Sequence, residues 1–219
     1  MLASLIVNPD ILELYPNDTV EEALKAMERY LVRHLPVVDK GTLLGVVGKE
    51  QLLKEPADKK IDKLKGHLVE ARLLAQMHFF ECYKLFSKTD LSVVPIVDPD
   101  GVFIGVVTRS DLTKYMAENT GINEAGAIVV LTMPPKDYSL HHLAQMVEGN
   151  DAHILHAYCC PKEAKNELEV TLKLNTTRIG GVLQTFHRYG YTVLATFDKN
   201  NDTDYLNDRY EALLKYLNM

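Results

Sequence analysis

The run Gly105-Val106-Val107-Thr108-Arg109-Ser110-Asp111 allows chemistry by its order alone. An apolar stretch ends at Thr108 and a helical stretch follows, so Thr108 is expected at a helix N-terminus. There its hydroxyl and the free backbone N–H groups can meet a phosphate together. Asp111 falls one turn into the helix, where its carboxylate can accept hydrogen bonds from hydroxyl groups. The same residues also suit a simpler task. Thr108 or Ser110 can cap the helix, with Asp111 favourably placed against its dipole.

Other constellations carry less. His153 and His156 fall in an expected strand, where residues three apart face opposite ways and cannot readily share an ion. His141 and His142 are neighbours on a helix and do not face each other. The segment from Asp198 to Asp202 resembles a calcium loop, but Thr203 stands at the turn glycine and Arg209 at the bidentate acid. Cys82, Cys159 and Cys160 give no CxxC pair, and a disulfide between the adjacent two would be strained, so neither disulfide nor structural zinc is expected. GxxxxGK[ST], HExxH, GxSxG and GxGxxG are all missing. No catalytic residue is assigned, no metal is expected and no cofactor is required.

Composition bounds the partners. The chain has 219 residues, 47% hydrophobic and 25% charged, with a net charge of -6. That excess of acid argues against a broad nucleic-acid footprint while leaving room for a small basic pocket. The N-terminal MLASLIVNPD lacks a basic stretch followed by an apolar core, and the apolar runs are strand-sized, short of the ~20 residues that span a bilayer. A cytoplasmic chain without a membrane segment is expected.

The elements that must position Thr108 and Asp111 occur twice. RHLPVVDKGTLLGVVGKEQLL, from Arg33, parallels SVVPIVDPDGVFIGVVTRSDLT, from Ser92. Pro36 answers Pro95, and Gly45-Val46-Val47 answers Gly105-Val106-Val107, with one extra turn residue in the second copy. In the first copy Ile11 to Tyr15 reads as a strand. Asn17 or Asp18 caps a helix with Glu21 as capping-box acid, and Val20, Ala23, Leu24, Met27 and Leu31 follow at helical spacing. Strands at Leu35–Val38 and Leu43–Val47 and a helix near Glu50–Leu53 complete it. The second copy places a helix over Phe79–Phe86, strands at Val93–Val97 and Val102–Val107, and a helix from Ser110 to Met116. One such unit buries little surface alone, so the two should pack with their sheets facing.

This doubled pattern resembles the CBS-domain family, whose tandem pairs form a Bateman module, over about half the chain. The resemblance implies an adenosine compound (AMP, ADP, ATP or S-adenosylmethionine) in a cleft between the repeats. It implies Thr108, Arg109, Ser110 and Asp111 at the ligand, with Asp111 on the ribose hydroxyls. Val93, Val94 and Pro95 match the strand beside the adenine pocket. Arg33 and His34 match a basic position that reaches phosphates held by the other repeat, although Arg33 equally suits an ordinary surface position. In the first copy Gly48 and Gln51 stand where the hydroxyl and carboxylate are expected, so one strong site per chain is expected.

After a polar connector at ENTGINEAG the element order becomes β-α-β-β-α-β, the ferredoxin-like arrangement. The strands are expected at Ala127–Met133, Ala152–Tyr158, Leu168–Leu174 and Tyr191–Phe197. The helices are expected at Leu140–Val147 and Thr177–Tyr189. The segment resembles an ACT domain, which implies pairing of two chains into a homodimer. Ser139 stands where that family has a ligand-approach glycine, so dimerisation fits better than amino-acid binding. Leu206, Tyr210, Leu213, Leu214 and Leu217 form one stripe of an expected C-terminal helix. The expected architecture is α/β (α+β): CBS repeat 1 at residues 1–56, CBS repeat 2 at 57–120, and an ACT-like domain at 121–219. A CBS pair followed by ACT resembles the acetoin-utilisation regulator family, a regulatory protein rather than an enzyme. A non-catalytic scaffold with vestigial pockets is the alternative.

Overall fold

The computed structural model describes residues 1–198. The C-terminal leucine stripe and the Asp198–Asp202 loop beyond its first residue lie outside the described residues. Internal contacts divide the chain into two units, Met1–Met116 and one beginning at Ala117.

In the first repeat, helix α1 (Val20–Arg29) forms because Val20, Ala23 and Met27 share a face that the core buries. Its cap lies one residue later than the sequence suggests. Thr19 accepts from the Glu22 N–H, and Glu22 takes the Thr19 N–H at 2.7 Å. Asp18 is not free for that task, because its carboxylate accepts the Tyr15 N–H at 2.7 Å and closes the preceding turn. Strands β1 (His34–Asp39) and β2 (Thr42–Gly48) pair antiparallel, and the short α2 (Lys49–Leu52) follows. The expected strand at Ile11–Tyr15 shrinks to one parallel bridge, Leu14 to Val37. Leu14 still bonds β1 on both sides, donating to the Pro36 carbonyl and accepting from the Val38 N–H.

The second repeat echoes this order. β3 (Leu73–Leu74) lies parallel to β4 (Val93–Val97), with α3 (Phe80–Lys88) between them in sequence. β4 pairs antiparallel with β5 (Phe103–Thr108), which runs directly into α4 (Arg109–Asn119). The extra residue of this copy sits in its hairpin. Lys40 and Gly41 make a two-residue turn with both φ positive, whereas the second hairpin spans Pro99–Asp100–Gly101. There the Asp98 carboxylate accepts the N–H groups of Asp100 and Val102 and absorbs the added length.

Each core borrows from outside its own repeat. Ala3 and Ile6, in a 3-10 turn (Ala3–Ile6), pack with Phe79, Cys82, Phe86, Val94 and Val107 of the second repeat. Ile61 and Leu64 pack with the first repeat, as do Val93 and Val106. The repeat glycines mark these crossings. A Cβ on Gly105 would lie 2.4 Å from Val7, and one on Gly45 would lie 2.8 Å from Leu68. The hairpins also meet, through a Thr42–Val102 bridge and the Phe103 N–H on the Gly41 carbonyl.

The second unit contains β6 (Ile128–Met133), α5 (Leu140–Glu148), β7 (Ile154–Lys162), β8 (Glu167–Leu174), α6 (Gly180–Arg188) and β9 (Thr192–Phe197). The sheet order is β7-β8-β6-β9 with every pairing antiparallel, the ferredoxin-like topology. Alternation does the sorting. Val129, Leu131, Met133, Val170 and Leu172 are buried with Leu143, Val147, Val182 and Phe186 of the helices. Ser139 caps α5, accepting the His142 N–H. Serine at that position therefore serves the helix. β7 begins at Ile154, so His153 precedes the strand and only His156 lies in it.

Candidate ligand cleft

β5 ends by delivering Thr108, which is 8% exposed, to the first turn of α4. Its hydroxyl donates to Asp111 Oδ2 at 2.6 Å and accepts the Asp111 N–H at 3.0 Å. The Thr108 N–H donates to the same Oδ2 at 3.1 Å. This is a reciprocal cap, in which orphan donors of the helix start are satisfied by the two side chains. The capping use of Thr108 and Asp111 is therefore realised. It also holds the carboxylate still at the mouth of a cavity.

That cavity has a volume of about 750 Å³ and opens among Asn8, Asp10, Arg29, Tyr30, Arg33, Thr108, Ser110 and Asp111. Arg29 and Arg33 are exposed cations arriving from the end of α1 and the start of β1. Ser110 and the start of α4 line the same cavity. The arrangement brings two arginines, a helix start and a fixed carboxylate residue to one cavity. Cations and free N–H groups suit a phosphate, and a carboxylate suits a pair of hydroxyl donors.

The remaining expected residues turn away from the cavity or lie outside its lining. Arg109 borders the cavity, but its guanidinium turns inward. Nε donates to the Leu91 carbonyl at 3.0 Å, and Nη2 donates to the carbonyls of Phe86 and Thr89 at 3.1 and 2.9 Å. It also lies 5.0 Å from the Phe86 ring centroid. Most of its donors are used in joining α4 to the end of α3. Val93 and Val94 are fully buried and pack in the cores of the first and second repeats respectively. Pro95 is buried between them and Ile96 on β4. His34 does not border the cavity. Its Nδ1 sits 3.3 Å from Ser92 Oγ and accepts the Ser92 N–H at 3.2 Å, while Ser92 Oγ accepts the N–H groups of Arg33 and His34. Burial holds the His34 imidazole below its ordinary pKa, assisted by the positive charge of Arg33.

His34 also explains the first repeat. Its ring edge would lie 3.2 Å from a Cβ on Gly48, so the imidazole covers the backbone where the second repeat has Thr108. Gln51 Nε2 is buried without a hydrogen-bond partner. The first copy thus presents an imidazole and an amide in place of a hydroxyl and a carboxylate.

Sequence reasoning missed Asn8, Asp10, Arg29 and Tyr30. Asn8-Pro9-Asp10 carries a turn signal. That signal says nothing of a partner 103 residues away, yet Asn8 Nδ2 donates to both oxygens of Asp111 at 3.0 and 3.1 Å. A second cavity of about 990 Å³ lies in the other unit between α5 and α6, bordered by His142, Gln145, Asn150, Gln184 and Arg188. Among the described residues, no group of His, Cys, Asp and Glu could hold a metal ion, and no helix is long and apolar enough to cross a membrane.

Comparison with known proteins bears on the first unit. Residues 3–58 and 73–118 match the family described as CBS domain. Inosine-5′-monophosphate dehydrogenase of Methanocaldococcus jannaschii is 30% identical over 115 residues, covering 51% of this chain and 23% of the enzyme. The chain thus spans about a quarter of that relative's length. A CBS domain pair/ACT domain protein from Thermotoga maritima is 26% identical, covering 54% of this chain and 98% of that one, with a TM-score of 0.49. CBSX2, solved in complex with AMP, is 23% identical over 53% of this chain and 96% of its own, with a TM-score of 0.47.

Proposed function

Because the chain is a tandem CBS-domain protein, with its pair at residues 3–58 and 73–118, we propose that it is a regulatory sensor of an adenosine compound. The ligand class is AMP, ADP, ATP or S-adenosylmethionine, held in the single cleft beside Thr108 and Asp111. The pair acts without catalysis, and the ACT-like domain joins two chains or reads the ligand-bound state.

One observation carries this reading. Asp111 and the start of α4 border the same 750 Å³ cavity as the exposed Arg29 and Arg33. A ribose and a phosphate need those two kinds of group a few ångströms apart. Arg29 and Arg33 favour ligands with at least one phosphate, which puts the nucleotides ahead of S-adenosylmethionine.

Calorimetric titration with AMP, ADP, ATP and S-adenosylmethionine tests it. Binding of a nucleotide at micromolar to millimolar concentration is expected. In Asp111→Ala it should weaken by at least tenfold, since a charged acceptor contributes about 1.5–3 kcal/mol. No binding at millimolar ligand, or unchanged binding in that variant, removes the reading. A scaffold with vestigial pockets then takes its place, favoured by the covered Gly48 and the unpartnered Gln51 amide in the first repeat.

A further inference from the structure

Asp111 is already bonded. Oδ2 receives the Thr108 hydroxyl, the Thr108 N–H and Asn8 Nδ2, and Oδ1 receives Asn8 Nδ2 as well. A carboxylate offers about four lone-pair sites, two on each oxygen. Oδ2 is saturated by these donors, and Oδ1 keeps one site open. A vicinal diol brings two O–H donors. It can place one on Oδ1 as the carboxylate stands, and the second has nowhere to go while Asn8 remains.

The Asn8 amide is held in this pose. Its Oδ1 accepts the Asp10 N–H at 2.9 Å, which fixes which end of the amide faces Asp111. Its own N–H donates to the Val106 carbonyl at 2.8 Å, tying the backbone to β5. The side chain can rotate away without moving that backbone, because the 3-10 turn before it is anchored separately by buried Ala3 and Ile6.

We propose that Asn8 is the specificity-determining residue of the cleft, an internal competitor that a diol-bearing ligand must displace from Asp111. The inference rests on the ligand reading above. Its consequence is that Asn8 narrows, without cancelling, the cleft's preference for a ribose over a deoxyribose, since part of what Asp111 gains from the diol it loses from Asn8. Displacement breaks the side-chain link between residues 8 and 111 and leaves the backbone bond of Asn8 to Val106 in place.

The test compares AMP with 2′-deoxy-AMP on the full chain and on Asn8→Ala and Asn8→Ser. Serine keeps an oxygen for the Asp10 N–H but is too short to hold Asp111, so it guards against loss of the local turn. Both variants should bind AMP about tenfold more tightly, the scale of one charge-assisted hydrogen bond. The preference for AMP over 2′-deoxy-AMP should widen in parallel. AMP binding that is unchanged or weaker in Asn8→Ser, while Asp111→Ala still weakens it, overturns the role of Asn8 and leaves the ligand reading standing. No AMP binding to any of these proteins overturns both.

Discussion

His34 shows how much one side chain can decide. It fills the place beside Gly48 and takes both polar groups of Ser92, and burial keeps its imidazole below the ordinary pKa of about 6.5. The unfolded chain therefore binds this proton more readily than the folded one. The stability contributed by neutral His34 is complete above about pH 6.5 and is lost as pH falls below it towards the lowered folded value. Glu50 and Asp90 oppose the shift, and Arg33 and Arg109 add to it. Melting curves of wild type and His34→Gln between pH 7.5 and 5 should converge on acidification, because glutamine has no proton to gain. Curves that run parallel across that range would refute the assignment. The histidine's place in the repeat was legible from the sequence, by alignment with Val93. Its inward contact with Ser92 was not, because nothing in a one-dimensional repeat says which copy covers which.

Elements are fixed by contacts that their own sequences do not contain. The helices and strands of both repeats follow from the spacing of Val20, Ala23 and Met27, of Phe79, Cys82 and Phe86, and from the matched Pro36 and Pro95. The sequence offers Asn17, Asp18 and Thr19 in a row as good cap residues, and the bond from Tyr15 to Asp18 and the reciprocal pair of Thr19 with Glu22 select among them. Arg109 is the sharper case. The family resemblance puts it at the ligand, while its guanidinium joins α4 to carbonyls of the last turn of α3 and the loop after it. A lysine can reach one such carbonyl and lacks the planar fork. Arg109→Lys should lower the unfolding free energy by about 1–3 kcal/mol, from carbonyls left without their donor. It should leave AMP affinity within about threefold. Denaturant titration and calorimetry separate the two, and a large affinity loss at unchanged stability would return Arg109 to the ligand.

At the scale of the whole chain the repeat is interlaced rather than consecutive. Residues 3–6 complete the second core and residues 61–64 the first, so the Met1–Met116 unit should unfold as one body, neither repeat surviving alone. Among the described residues, the unit from Ala117 has its own buried core, including Val129, Leu131, Leu143, Val170, Leu172 and Phe186, drawn from its own chain segment. Two cooperative units with separate cores give two thermal transitions when the contacts between them are weak. A nucleotide in the cleft binds only the native first unit. It should therefore raise that unit's transition, by the equivalent of about 2.7 kcal/mol at a hundredfold excess over its dissociation constant. The other transition should stay where it is. Differential scanning calorimetry with and without AMP reads both at once, and Asp111→Ala assigns the responding peak by reducing its shift to about half or less. A single transition that moves as a whole would mean that the two units fold as one, and the second unit would then share directly in the ligand's free energy. A shift confined to the first transition would mean instead that the ligand's free energy stays within the first unit, and any response of the second unit would then run through an equilibrium between arrangements of two intact bodies.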